Sequence, residues 1–367
     1  MAFNISPKFL TQRRRDAEKT KANFFFASLR LCVIYSGINI ILFFASCAQT
    51  EPWKAEFTLG TVCSVTLYEQ GHSKNYDSVF SRIIEIENLM SLNISESDVN
   101  RINAAAGSEP VQVHEDVFRV IERAVFFAEM SNGAFDPTVG PLVSLWGISG
   151  DYPRVPSHEE IVDVLQFINW RDIELNESTR SVYLKRSGMA LDLGAIAKGY
   201  AASEAAAVLI ENKVKRAVID LGGDIVIFGE TRERRPWRVG IQNPVGNHGS
   251  YMGVLQLSAK DGEKSVVTSG VYERFFVKDG QRYHHIFSPS QGYPASNGLL
   301  SVTIITSNAM DADALSTAVF VMGYERGLTL INRLPGVEAI FIFEDNSVYT
   351  TPGLNFTITD NAYFIRS

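Results

Sequence analysis

The sequence predicts an α+β fold, a mixed sheet with flanking helices and a smaller subdomain, on three observations. Strand alternation and helical periodicity take turns along the chain. At 367 residues the chain exceeds the usual size of a single domain, so one large domain carrying a subdomain is expected. Hydrophobic content of 46% against 20% charged residues is that of a globular protein with a substantial core.

After a short tether over residues 48–54, AEFTLGTVCSVTLYE alternates as a strand pair around Gly60. SVFSRIIEIENLMSL spaces Phe80, Ile83, Ile84, Ile86 and Leu89 at helical intervals. HEDVFRVIERAVFFAEMSNG puts Val117, Val120, Ile121, Ala124, Val125 and Ala128 on one face and ends at Gly133, a natural C-cap. Strands are expected at SVYLKR and MALDLG, a helix at AIAKGYAASEAAAVLIEN, and one strongly apolar strand at RAVIDLGGDIVIFG, with LGGD read as a tight turn. Residues 237–276 alternate as strands and turns. LLSVTIIT reads as a strand, DADALSTAVFVMG as a helix and EAIFIFEDNSVYTT as a closing hairpin turned at Asp345 and Asn346. The main domain spans 55–355, with residues 356–367 as a tail.

The N-terminus has its own logic. Arg13, Arg14, Arg15, Lys19 and Lys21 precede the uncharged apolar run Leu31–Ser46, which ends at Cys47. This is the layout of a secretory signal over residues 1–47, and the run is short for a bilayer span. The small pair before Cys47 resembles a lipobox, which makes Cys47 the lipidated first residue, although Phe44 departs from the usual Leu. The alternative is a signal anchor that stays in place. Both put residues 50–367 outside the cytoplasm. Cys63 is then the single cysteine of the mature domain, which excludes an internal disulfide there. With 41 acids against 34 Lys+Arg and no basic stripe, nucleic acid is not a partner.

Five ordered blocks carry chemistry. On the helix beginning near Asn308, Asp313 and Thr317 are four apart and share a face, a two-oxygen grip for Mg²⁺, with Asp311 nearby as a second or water-mediated ligand. In MALDLGAIAKGYA, Asp192 ends a strand, and the following helix start aims backbone amides and Lys198 at any anion. In SNGAFDPTVGPLVSLWG, Pro137 forces Asp136 out of helical conformation, so a loop is expected; Trp146 reads as a core aromatic. Thr268, Ser269 and Gly270 with Tyr272, Glu273 and Arg274 form the fourth block, and the pair His284, His285 the fifth. A histidine is a candidate general base, and adjacent strand residues face opposite ways, so at most one reaches the site. Neither a P-loop nor GxGxxG is present.

In this order GAFDPTVGPLV, DLGAIAKGYA, PWRVGIQNP, TSG followed by YER, and ADALST resemble the ApbE family, the FAD:protein FMN transferases, over roughly residues 55–350. The resemblance implies an ApbE-like, T-fold-related architecture. It implies FAD as substrate beside Mg²⁺, with FMN passed to a Thr or Ser hydroxyl of an acceptor protein and AMP released. By matching positions, Asp313, Thr317 and the Ala195 carbonyl ligate the metal. Leu59, Gly60, Thr61, Ala134, Phe135, Asp136, Asp192, Lys198 and Ile286 contact FAD, and His285 is the base. Expected partners are membrane redox subunits of the sodium-pumping NADH:quinone (Nqr) or Rnf type, reached from the periplasmic side of the inner membrane through the lipid anchor. Two departures stand out: Asn93 where relatives commonly carry a stacking tyrosine, and Ser288 and Ser290 where they carry an aspartate and a base. These keep two alternatives open, an Mg²⁺-dependent FAD pyrophosphatase and a flavin-binding envelope lipoprotein without turnover.

Overall fold

A nine-stranded sheet organises the protein. Its strands lie in the order Trp53–Thr58, Thr61–Leu67, Ala217–Leu221, Ile225–Phe228, Lys264–Gly270, Leu299–Thr306, Glu338–Phe343, Ser347–Thr350 and Phe364–Ile365. Neighbours are antiparallel except the last pair, so the sheet is mixed. The coordinates, a computed structural model, describe residues 53–68, 73–231, 233–247 and 249–366. Cys47 and the signal read into residues 1–47 lie outside the described residues. Among the described residues no helix is long and apolar enough to cross a membrane.

The Leu299–Thr306 strand is buried at every position, which is why LLSVTIIT is a continuous apolar run rather than an alternating one. Helix Ala309–Met322 packs on it, on the Lys264–Gly270 strand and on helix Ala197–Glu211, and is buried on all sides. That explains its Ala-rich, all-round apolar sequence. Asn308 caps it by accepting from the Asp311 N–H. The two helices cross at Gly199, where an added Cβ would stand 2.2 Å from the Ala309 carbonyl oxygen and 2.6 Å from the Asp313 Cβ. Only a glycine permits that approach.

A second, smaller core of Leu142, Trp146, Ile161 and Phe287 lies apart from the main one. Trp146 is fully buried there, its indole N–H donating to the Gly292 carbonyl at 2.9 Å, as a core aromatic should. Cys63 is a buried free thiol.

Three expectations need correction. RAVIDLGGDIVIFG is two antiparallel strands, Ala217–Leu221 and Ile225–Phe228, folded at Gly222 (φ +68°) and Gly223 (φ +100°). The turn therefore falls at LGGD, as read from the sequence, and the single strand is what needs correction. MALDLG contributes one parallel bridge, Ala190 to Val139, in place of a strand. Residues expected as tether and tail instead join sheets: Trp53 and Lys54 pair with Thr66 and Val65, Asn355–Ile358 pairs with Tyr251–Leu257, and Phe364–Ile365 closes the large sheet.

Candidate active site

A cleft of about 890 Å³ opens where the Leu59–Thr61 turn, the Ala134–Asp136 loop, the start of helix Ala197–Glu211, and the Asp313 and Thr317 face of helix Ala309–Met322 converge. It brings together Leu59, Gly60, Thr61, Ala134, Phe135, Asp136, Asp192, Ala195, Lys198, His285, Ile286, Asp313 and Thr317. Asn93 is exposed and is not among the lining residues; its N–H donates to the Ser91 hydroxyl.

Glu87 shapes the first wall. Its carboxylate accepts from the Thr58 hydroxyl and from the Leu59 N–H, which holds a two-residue turn with Leu59 at φ +54° and Gly60 at φ +67°. In the second wall, Asp136 accepts from the Thr138 N–H at 2.8 Å, the Thr138 hydroxyl at 2.6 Å and the Trp170 N–H at 3.2 Å. Its oxygens therefore build the loop. Burial pushes its carboxyl up, against those bonds.

The floor is ionic. Lys198 donates to Asp224 Oδ1 at 2.7 Å. Burial opposes its charge, but Asp224, Asp313 and Glu273 overcome that and hold the ammonium above its ordinary value. Asp313, 3% exposed, accepts from the Gly199 N–H at 2.9 Å; burial and repulsion from Asp224 raise its carboxyl well above the usual range. Asp224 escaped the sequence reading, which took LGGD as a turn alone. The available signal was an acid set between two apolar strand halves. Asp311 is not a ligand candidate: Arg123 engages both of its oxygens, at 2.8 and 2.7 Å.

The two histidines part as expected. His284 is buried, its Nε2 bonded to the Ala295 carbonyl at 3.0 Å and its Nδ1 accepting from the Ile286 N–H at 3.3 Å, so no lone pair remains. His285 faces the cleft with Nδ1 3.2 Å from the Arg274 carbonyl. A carbonyl only accepts, so Nδ1 carries the proton and Nε2 keeps its lone pair. Burial, with Arg274 adding, pushes the imidazole down to about 3, so it is neutral at pH 7.

The donor set suits a hard cation. Asp136, Asp192, Asp220, Glu273 and Asp313 line the cleft with Lys198 and Arg274, an oxygen-rich lining of the kind a hard cation binds. Asp224 Oδ2 is buried without a partner. A hydroxyl chain prepares Thr317: Ser316 donates to the Asp313 carbonyl at 2.8 Å, so it accepts from Ser269 at 2.8 Å, and Ser269 accepts from Thr317 at 3.1 Å. Thr317 thus turns its lone pairs outward. Among the described residues no three His, Cys, Asp or Glu side chains form a metal cluster, so a cation here would rely on hydroxyl, carbonyl and ligand oxygens beside Asp313.

Known proteins resemble this chain in sequence and in fold. The ApbE family profile matches residues 59–341. FAD:protein FMN transferases of Treponema pallidum and Klebsiella pneumoniae are 39% and 37% identical, covering 82% and 78% of this chain and 87% and 88% of theirs. A crystal structure of the ApbE protein of Thermotoga maritima superposes with TM-score 0.74 at 35% identity, over 82% of this chain and 96% of that one. The flavin transferase ApbE of Vibrio cholerae gives TM-score 0.71 at 27% identity, over 85% and 97%. This chain belongs to the ApbE family and is an enzyme of that family.

Proposed function

We propose that this protein transfers FMN from FAD to a Thr or Ser hydroxyl of an acceptor protein, with release of AMP and with Mg²⁺ at Asp313. The observation that carries the reading is the juxtaposition of an over-acidic floor around Asp313 and Thr317 with His285, a neutral imidazole whose Nε2 is open to the cleft. Similarity to proteins named FAD:protein FMN transferase supports the same substrate.

Asp313, Thr317 and the Ala195 carbonyl would hold the cation, which when bound neutralises the diphosphate and polarises its oxygens. His285 Nε2 takes the proton of the acceptor hydroxyl as its oxygen attacks the FMN phosphorus. The bridging P–O bond breaks and AMP leaves. Asp136 fixes the loop that presents Ala134 and Phe135 to the flavin nucleotide, and Glu87 fixes the Leu59–Thr61 turn opposite.

We further assign the domain to the periplasmic side of the inner membrane, anchored through Cys47, with Nqr- or Rnf-type redox subunits as acceptors. The apolar run before Cys47 motivates this assignment. Loss of membrane association in Cys47→Ser checks it, and unchanged retention would contradict lipidation. The departure at Asn93 raises a second reading, FAD hydrolysis by water in place of the acceptor, but Asn93 does not line the cleft and adds no support to it.

The soluble domain from Ala48, incubated with FAD, Mg²⁺ and a threonine-containing acceptor domain, separates these readings. An FMN mass adduct on the acceptor with AMP released supports transfer. Free FMN and AMP at the same rate without acceptor supports hydrolysis, and FAD retention without either product would leave a binding protein.

A further inference from the structure

We propose that Asp224 is a positioning residue that holds the Lys198 ammonium away from Asp313, and so reserves the Asp313 carboxylate for a divalent cation. The inference rests on the cation reading above and explains how this chain keeps its cation site free of its own lysine.

Three groups share one buried pocket of charge. Lys198 is attracted by both Asp224 and Asp313 and bonds the first, Asp224 Oδ1 at 2.7 Å. Asp313 takes a neutral partner, the Gly199 N–H at 2.9 Å. Asp224 is 1% exposed, and beyond Lys198 its carboxylate meets only the like-charged Asp313 carboxyl, with no donor N–H on its second oxygen. Leaving a buried carboxylate oxygen unmet is unfavourable, so the arrangement is not one that stability alone would select.

The backbone enforces the geometry. Gly222 and Gly223 adopt positive φ, and Asp220 Oδ1 accepts from the Gly223 N–H at 2.8 Å. A Cβ on Gly222 would stand 2.3 Å from Thr61 Oγ1, so the hairpin turn of one cleft wall locks against the turn that delivers Asp224. Without the Asp224 charge, Asp313 becomes the strongest remaining attraction for Lys198. An ammonium there would both occupy the carboxylate and repel Mg²⁺.

The test reads flavin fluorescence during FAD titrations at a series of Mg²⁺ concentrations, with the full chain and its Asp224→Asn, Lys198→Met and doubly substituted variants. The quantity compared is the Mg²⁺ concentration at half-maximal FAD binding. Asp224→Asn is expected to raise it by about tenfold or more. Adding Lys198→Met to that variant is expected to bring it back to within about threefold of the Lys198→Met value, because no stray ammonium remains. An unchanged midpoint in Asp224→Asn overturns the proposal. So does a double variant that keeps the whole shift, since that marks Asp224 as a support for its turn. The double variant also serves where Asp224→Asn loses its cooperative thermal transition. A wild-type protein whose FAD binding ignores Mg²⁺ would instead overturn the cation reading, and this proposal with it.

Discussion

Helix Ala197–Glu211 carries two ionic clusters two residues apart on opposite faces. On one side, Arg82 reaches Asp116 at 2.8 Å, Glu204 at 2.6 Å and Glu85 at 2.9 Å, while the Tyr200 hydroxyl donates to Asp116 at 2.6 Å. On the other, Lys198 faces Asp224 and Asp313, and a carboxylate oxygen stays unmet. The two buried aspartates respond in opposite directions. Burial pushes against the Asp116 charge, but Arg82 and Tyr200 overcome it and hold that carboxyl below its ordinary value. Asp313 is raised, by burial and by Asp224. The first cluster gathers its carboxylates around one guanidinium and ties three helices together. The second sets one ammonium beside two carboxyl groups that line or back the cleft, and the raised Asp313 carboxyl is the kind of perturbed group that marks a functional site.

The comparison breaks most sharply at Asp313. Asp313→Ala is expected to lower Mg²⁺-dependent turnover by at least about a thousandfold, followed as FMN and AMP by chromatography. Undiminished turnover would remove the metal assignment. His285→Ala should slow transfer by about a hundredfold or more while FAD binding changes little; equal loss of both would make His285 a binding residue.

Arg82→Leu tests the other cluster. It leaves Asp116 and Glu204 without their guanidinium and should cost about 3–5 kcal/mol in denaturant unfolding, with no change in the Mg²⁺ requirement. A Mg²⁺ shift as large as that of Asp224→Asn would erase the distinction between the clusters.

The smallest effect expected is on pH. Burial pushes His284 down to about 4 from an ordinary 6.5. Below pH 6.5 the unfolded chain therefore binds a proton that the folded chain refuses, and stability falls as pH drops toward 4, by about 3 kcal/mol in all. His284→Asn should make that acid limb shallower in thermal melts across pH 4 to 7, with His285, held down to about 3, supplying the remainder. An unchanged slope would place the acid sensitivity elsewhere.

Much of the site was legible because its residues sit in short runs at element ends, where spacing has direct geometric meaning. Asp313 and Thr317 share a helix face, Asp192 precedes a helix start, and one histidine of an adjacent pair had to be internal. Asp224 was not legible, since the turn at LGGD could be read but not the lysine, Lys198, that its carboxylate meets across the fold. Asp311 was read as a ligand candidate because its partner, Arg123, lies 188 residues away in sequence. The second core was missed in outline because the Gly140–Trp146 and His158–Leu165 helices are too short for a periodic signal. Terminal strands such as Phe364–Ile365 exist only through their partners, so no local pattern announces them.

Under the proposed function, a diphosphate enters the cleft only together with a divalent cation. FAD affinity, measured by flavin fluorescence in excess Mg²⁺ and again in excess chelator, tests it most directly. Chelation is expected to weaken binding by about tenfold or more, because the lining carboxyl groups outnumber Lys198 and Arg274 once no added cation offsets the diphosphate charge. Equal affinity in the two conditions would contradict it.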